Sequence, residues 1–335
     1  MPSGYKIYRL GDVPLQSGEV LKDAHLAYTA CGTLNSTGDN VVLLPTFYTG
    51  THIRNEGLFG PGRAIDPARH FVVSVNLFGN GYSSSPSNAI QAGPSFPHVT
   101  LFDNVACQHR LLTEGLGVRK LALVFGWSMA AMQAFQWGAQ YPDMVEAILP
   151  YCGTARCSEF NLAFIEGPKA ALQADAAWNG GNYTAPPEKG LRAFGRVYCP
   201  WAYSHDFFVD RLYQTLGFET LEDFFRDWEE DHLNWDANDL LAKIWTWQHA
   251  DISDNDIYRR DFKRALGAIR ARAIVMPCTT DQYFAPEDNA AEVAAMPNAE
   301  LRIYDSPWGH CVGSPGRVPE FQRAVDEAAA ELLRG

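Results

Sequence analysis

LALVFGWSMAAM, Leu121 to Met132, is the stretch that decides how the chain is read. Leu121 to Phe125 is an unbroken apolar run stopped by Gly126, and it predicts a short buried strand. Met129 to Gln140 predicts a helix, which Tyr141-Pro142 ends. Between them Gly126-Trp127-Ser128-Met129-Ala130 has to turn sharply. Strand, tight turn with a central serine, helix: this is the setting of a nucleophile elbow. Small residues at 126 and 130 suit it, because neighbouring backbones pass too close for a bulky side chain. The usual last glycine of the motif is Ala130 here. The competing reading is an ordinary packing serine, and partners elsewhere in the chain decide between the two.

The flanking sequence alternates in the same way. YKIYRL and LKDAHLAYTACGTL, within residues 5–34, show strand-like alternation and predict an edge hairpin. Val41 to Pro45 predicts a buried strand, followed by a loop from Thr46 to His52. Phe71 to Asn76 predicts the next strand, leading into a Gly/Ser/Pro loop at 79–87. Residues 103–116 predict an amphipathic helix with an aspartate at its start and a glycine at its end. Val145 to Tyr151 reads as another strand. Strands alternating with helices argue for an α/β fold: a mainly parallel sheet with helices on both faces.

Near residue 155 the alternation stops. From there to 268 the pattern is helical and rich in aromatics, and it is too long for a loop. It predicts a helical cap, 155–268, over a core made of 1–154 and 269–335. Most of its aromatics pack the cap helices, and a few line a pocket between cap and sheet. The α/β pattern resumes with a strand at Arg272 to Pro277, a helix at 286–296, a last strand at Leu301 to Tyr304 and a final helix at 317–333.

Hydrophobic content of 47% and charged content of 20% are those of an ordinary globular protein. The net charge of −12 disfavours nucleic acid and gives no attraction to anionic membranes. No apolar run approaches the roughly 20 residues needed to span a bilayer, and the N-terminus lacks the apolar stretch of a signal peptide. Seven cysteines, with no CxxC pair and no zinc-ligand spacing, predict free thiols in a reduced, cytoplasmic protein without a structural metal.

A serine hydroxyl becomes a useful nucleophile only when a base takes its proton and a third group orients that base. On a fold of this kind the order along the chain is serine, acid, histidine. Asp281 follows the late strand that ends at Pro277, and His310, in Ser306-Pro307-Trp308-Gly309-His310, follows the last strand. Asp305 is the rival acid, at a strand end close before the histidine. His52, His109, His205 and His249 compete on type alone, but none follows a terminal strand. An oxyanion needs donors. One is the backbone N–H of Met129, beside the nucleophile, and the other comes from the loop Thr46 to Gly50, where the N–H of Tyr48 is favoured.

Several stretches together resemble one family. PTFYTGTH (45–52), NLFGNGYSSSP (76–86), FPHVTLFDNVACQHRLLTEGLGVRKLALVFGWSMAAMQAFQW (96–137), ARCSEFNLAFIEG (155–167) and ADAAWNGGNY (174–183) are similar to the homoserine O-acetyltransferase family of α/β-hydrolases. The resemblance implies the α/β-hydrolase fold, a helical cap, a Ser128–Asp281–His310 triad, no cofactor, and a homodimer formed through the cap. Two departures follow from the same comparison. Where family members that acetylate homoserine carry an aspartate after the catalytic histidine, this chain has Cys311. Where they carry an arginine for the substrate carboxylate in the first cap helix, the matching position is Lys169, which lacks the planar two-point grip. With Trp127, these residues are the expected substrate contacts. The departures point to the carboxylesterase members of the family, acting on small acetate-type esters. Acetyl transfer from acetyl-CoA to an alcohol or thiol is the alternative, with Glu166 or a cap aspartate then holding the amino group.

Overall fold

Val41–Pro45 is buried at every position, so this strand lies inside a sheet covered on both faces. The computed structural model describes residues 4–334. Its strands are β1 (Lys6–Pro14), β2 (Val20–Cys31), β3 (Val41–Pro45), β4 (Phe71–Val75), β5 (Leu121–Trp127), β6 (Ala147–Tyr151), β7 (Arg272–Val275) and β8 (Ala299–Leu301). They form one sheet in the order β1-β2-β4-β3-β5-β6-β7-β8. β1 and β2 make the antiparallel edge hairpin, β2 joins β4 antiparallel, and β4 to β8 run parallel. The expected mainly parallel α/β sheet is therefore the observed one.

Successive strand residues point to opposite faces, and the chain uses both. Val41, Leu43 and Val124 join one buried cluster with Phe135 and Trp137, whereas Val42, Leu44 and Leu123 join the other with Phe321 and Val325. The helices are α1 (His52–Asn55), α2 (Leu101–Arg110), α3 (Met129–Gln140), α4 (Glu159–Gln173), α5 (Glu188–Tyr198), α6 (His205–Val209), α7 (Leu221–His232), α8 (Ala237–Gln248), α9 (Phe262–Gly267), α10 (Pro286–Val293) and α11 (Pro319–Arg334).

Several boundaries differ by a few residues from the sequence reading, and two of the differences have a visible cause. The helix expected at 103–116 starts at Leu101, because Thr100 is its N-cap: the Thr100 side chain accepts from the Asp103 N–H, and the Asp103 carboxylate accepts from the Thr100 N–H. Beyond Arg110 it widens into a π-turn, Leu111–Gly115. The last strand is Ala299–Leu301 rather than 301–304. Pro277 has no N–H to give to a ladder, so beyond Leu301 pairing thins to bonds from Arg302 N to Val275 O and from Tyr304 N to Pro277 O, both 2.9 Å, and from Thr279 N to Tyr304 O at 3.0 Å.

Between β6 and β7 the described residues carry α4 to α9 and no strand of the sheet. The apolar nucleus of this insert is aromatic, with Phe164, Phe194, Tyr198, Phe224 and Trp247 at its centre. Tyr48, Met129, Tyr283 and Phe284 come into the same cluster from the sheet side. The insert therefore packs directly onto the carboxyl ends of the strands, where this class of sheet presents its ligand sites.

Candidate active site

β5 passes into α3 through Ser128, whose backbone sits at φ 61°, ψ −127°. That strained conformation is rare for a residue with a side chain, and it is held by close packing. A Cβ added at Gly126 would stand 2.5 Å from Ala130 Cβ, and one at Gly153, just past β6, would stand 2.7 Å from the Ser128 carbonyl oxygen. The small residues around the serine are thus a steric requirement of the turn.

His310 Nε2 lies 3.0 Å from Ser128 Oγ, and His310 Nδ1 lies 2.8 Å from Asp281 Oδ2. The other oxygen, Asp281 Oδ1, accepts from the N–H groups of Tyr283 at 2.8 Å and Phe284 at 3.2 Å. An ionised carboxylate only accepts, so Nδ1 carries the imidazole proton and Nε2 is left as a base facing the serine. The three side chains are buried, yet each of their polar atoms has a hydrogen-bond partner. Asp305 is exposed and accepts from Thr279 Oγ1 at 2.8 Å, away from this chain of bonds. The competing histidines are engaged elsewhere: His52 with Asn76, His109 stacked on Tyr141, His205 beside Asp206, His249 stacked on Trp245.

The loop after β3 is tied to the elbow helix. Gln133 Nε2, on α3, donates to the Thr46 carbonyl at 2.9 Å, and Thr46 Oγ1 accepts from Leu77 N at 3.0 Å. Gly50 N closes the turn onto Phe47 O at 2.9 Å, with the Phe47 ring so near that a Cβ at Gly50 would meet it at 2.8 Å. Met129 is the first residue of α3, where no carbonyl of the same helix can take its N–H. The side chain of Tyr48 points into the insert and donates from Oη to Leu240 O on α8 at 3.2 Å.

A cavity of about 350 Å³ is lined by Trp127 and Cys311, the neighbours of the serine and the histidine. Trp127 also stacks on His310. Burial pushes the Cys311 thiol up to about 11, against the opposing pull of Tyr203, Arg317 and Arg54, so it is neutral near pH 7. Lys169 is not there. It lines a separate cavity with Trp178 and Trp245 and pairs with Glu166 at 2.8 Å. The expectation that Lys169 faces the same substrate as Cys311 is corrected accordingly: the cations lining the Cys311 cavity are Arg54 and Arg317, and the carboxylates lining it are Asp227, Glu230 and Asp231 from α7. Among the described residues neither arginine has a carboxylate within 4.0 Å. Both follow loops at the carboxyl ends of strands, the one signal in the sequence that could have flagged them.

With this geometry in view, comparison with known proteins places the chain. The family model for the alpha/beta hydrolase fold matches residues 39–313. An ethyl acetate hydrolase of Pseudomonas veronii is 36% identical, with 98% of this chain and 95% of that protein covered. The chain belongs to the α/β-hydrolase family. A homoserine O-acetyltransferase of Chlorobaculum parvum is 30% identical to this α/β-hydrolase, covering 92% of this chain and 89% of that protein. The crystal structure of an acetylester hydrolase from Corynebacterium glutamicum superposes with a TM-score of 0.95 at 33% identity, covering 99% of this chain and 96% of that one. The resemblance to the homoserine acetyltransferase family, on its esterase side, is borne out.

Proposed function

We propose that this α/β-hydrolase is a serine carboxylesterase for small acyl esters of the acetate type. The observation that carries the reading is the unbroken chain of bonds from Ser128 Oγ through His310 to Asp281. Ser128 Oγ attacks the ester carbonyl while its proton passes to His310 Nε2. The oxygen that becomes negative is received by the N–H groups of Met129 and Tyr48. Collapse of the tetrahedral species expels the alcohol, which takes the proton back from His310, and leaves an ester on Ser128. Water, deprotonated by the same nitrogen, then releases the acid. Asp281 holds the imidazole in the required tautomer throughout. A short acyl group suits the site because Tyr283 and Phe284, members of the aromatic cluster, pack against His310, with ring centroids 4.4 and 5.5 Å away.

Acetyl transfer would use the same acyl-enzyme with an alcohol or thiol in place of water. A neutral Cys311 gives an incoming ammonium no charged partner at the position next to His310, which supports hydrolysis, while the carboxylates of the cavity, Asp227, Glu230 and Asp231, all come from α7. The test combines a variant with a product assay. Ser128→Ala should lower hydrolysis of 4-nitrophenyl acetate by several orders of magnitude with folding intact. Wild-type protein given acetyl-CoA and homoserine should form no O-acetylhomoserine at a useful rate. A kcat/KM for that product of about 10⁴ M⁻¹s⁻¹ or more would replace the esterase reading with the acetyltransferase one.

The insert is proposed to act as a cap and as the contact between two copies in a homodimer. Its helices leave Phe160 57% and Val209 62% exposed. Light scattering that returns the 37.2 kDa of a single chain would remove the dimer.

A further inference from the structure

Lys243, on α8, is 0% exposed, and its ammonium has no hydrogen-bond partner among the described residues. A buried, unpaired ammonium is costly, and an apolar side chain of like size is normally the more stable choice. The carboxylates on the same helix are already committed. Asp239 accepts from Ser87 N at 2.9 Å and from Ser87 Oγ at 2.6 Å, and Asp236 caps the helix and accepts from Tyr183 Oη at 2.6 Å. Lys243 Nζ instead stands 3.8 Å from the centroid of the Trp235 ring and 5.2 Å from that of Tyr48. Burial pushes Lys243 down to about 7, against the raising effect of Asp239 and Asp236, so below that pH the side chain carries its proton, and ring faces attract a desolvated cation.

Tyr48 is therefore gripped by α8 at two points. The backbone carbonyl of Leu240 accepts a hydrogen bond from its hydroxyl, and Lys243 lies over its ring. Its main chain belongs to the loop that supplies the second oxyanion donor. We propose that Lys243 is a positioning residue for this donor: its ammonium, seated on the faces of Tyr48 and Trp235, holds Tyr48 so that the backbone N–H meets the developing oxyanion. The inference rests on the esterase reading and on Tyr48 as the donor.

The test is Lys243→Met, which keeps the length of the side chain and removes its charge. With 4-nitrophenyl acetate as substrate, kcat should fall about tenfold and KM should stay within about twofold, a smaller loss than the 10²- to 10³-fold typical of deleting an oxyanion donor outright. 1,1,1-Trifluoroacetone adds to the serine and leaves an oxyanion with no leaving group, so its inhibition constant should rise by about the same factor as kcat falls. A purely structural role would shift the unfolding midpoint without that matched change. Ser128→Ala, assayed alongside, separates the two readings. If Ser128→Ala keeps its turnover, the triad reading fails. If Ser128→Ala is inactive while folded Lys243→Met keeps kcat and the inhibition constant within about twofold of wild type, the Lys243 inference alone is overturned. Should Lys243→Met not fold, Trp235→Leu opens the other side of the cage. About threefold changes of the same sign in both constants are then expected, and unchanged constants overturn the inference.

Discussion

His310 lies against the indole of Trp127, with ring centroids 4.9 Å apart and planes at 26°, and Trp127 Nε1 donates to the main-chain carbonyl of His310 at 3.2 Å. The residue before Ser128 thus supports the histidine that Ser128 is bonded to. Gly313 makes the contact possible, since a Cβ there would stand 2.5 Å from Trp127 Cδ1. Trp127→Ala should cost about 3 kcal/mol of stability, at the low end for a buried aromatic. It should also lower kcat about tenfold, because a loosened imidazole loses its near-attack geometry. Urea unfolding and steady-state kinetics measure both. A variant destabilised but unchanged in kcat would show that the stack serves folding alone.

Asp281 and Asp305 were both open as the acid on residue type. With Asp281 Oδ2 at 2.8 Å from His310 Nδ1, Asp281→Asn should lower turnover about 10⁴-fold by favouring the wrong imidazole tautomer. Asp305→Asn should stay within about twofold of wild type, as expected for a surface substitution. The opposite ranking in kcat would move the acid.

Glu292, on α10, is buried against the start of the insert, where Oε1 accepts from Ala155 N at 2.8 Å and Oε2 from Asn289 Nδ2 at 2.9 Å. Burial pushes its carboxyl up to about 8, although both bonds favour the anion. The folded state then holds a proton that the unfolded chain has released. Stability from this group is fully present below the unfolded value, near 4.5, and is lost as pH rises through about 8. Glu292→Gln should flatten this decline. The check is the thermal midpoint of both proteins from pH 5 to 9, and parallel curves would exclude Glu292 as the cause.

Gly126→Ala should be destabilising by about 3 kcal/mol, the upper range for overpacking, and should disturb the serine. The new Cβ would meet Ala130 Cβ at 2.5 Å and the Ala130 carbonyl carbon at 2.8 Å. Adding Ala130→Gly removes the first clash but not the second, so the double variant should recover only part of the loss. Full recovery in a denaturant titration would mean that the backbone can shift.

What could be read in advance was what the chain repeats locally. The elbow, the parallel strands and the order serine, acid, histidine each follow from periodicity and from residues close to strand ends. β8 slipped because Ala299–Leu301 is short and half-buried, which leaves little pattern to detect. The surroundings of the triad were harder to see, because they form across the fold. Arg54 reaches Ser314 and Tyr48 reaches Leu240 over separations that no local pattern records. Lys169 was misplaced for the same reason: its position in a helix said nothing about which cavity that helix would face.

The grip of α8 on Tyr48 has a consequence for engineering. A chimaera that takes its whole helical insert from a relative would exchange more than the walls of the substrate cavity. The borrowed helix would bring its own residues to positions 240 and 243, against the loop that carries Tyr48. Grafts chosen only for shape complementarity to a new ester would then change turnover as well as selectivity. Retaining Lys243, and the helix position that presents the carbonyl of residue 240, is the simplest way to keep the two properties separate.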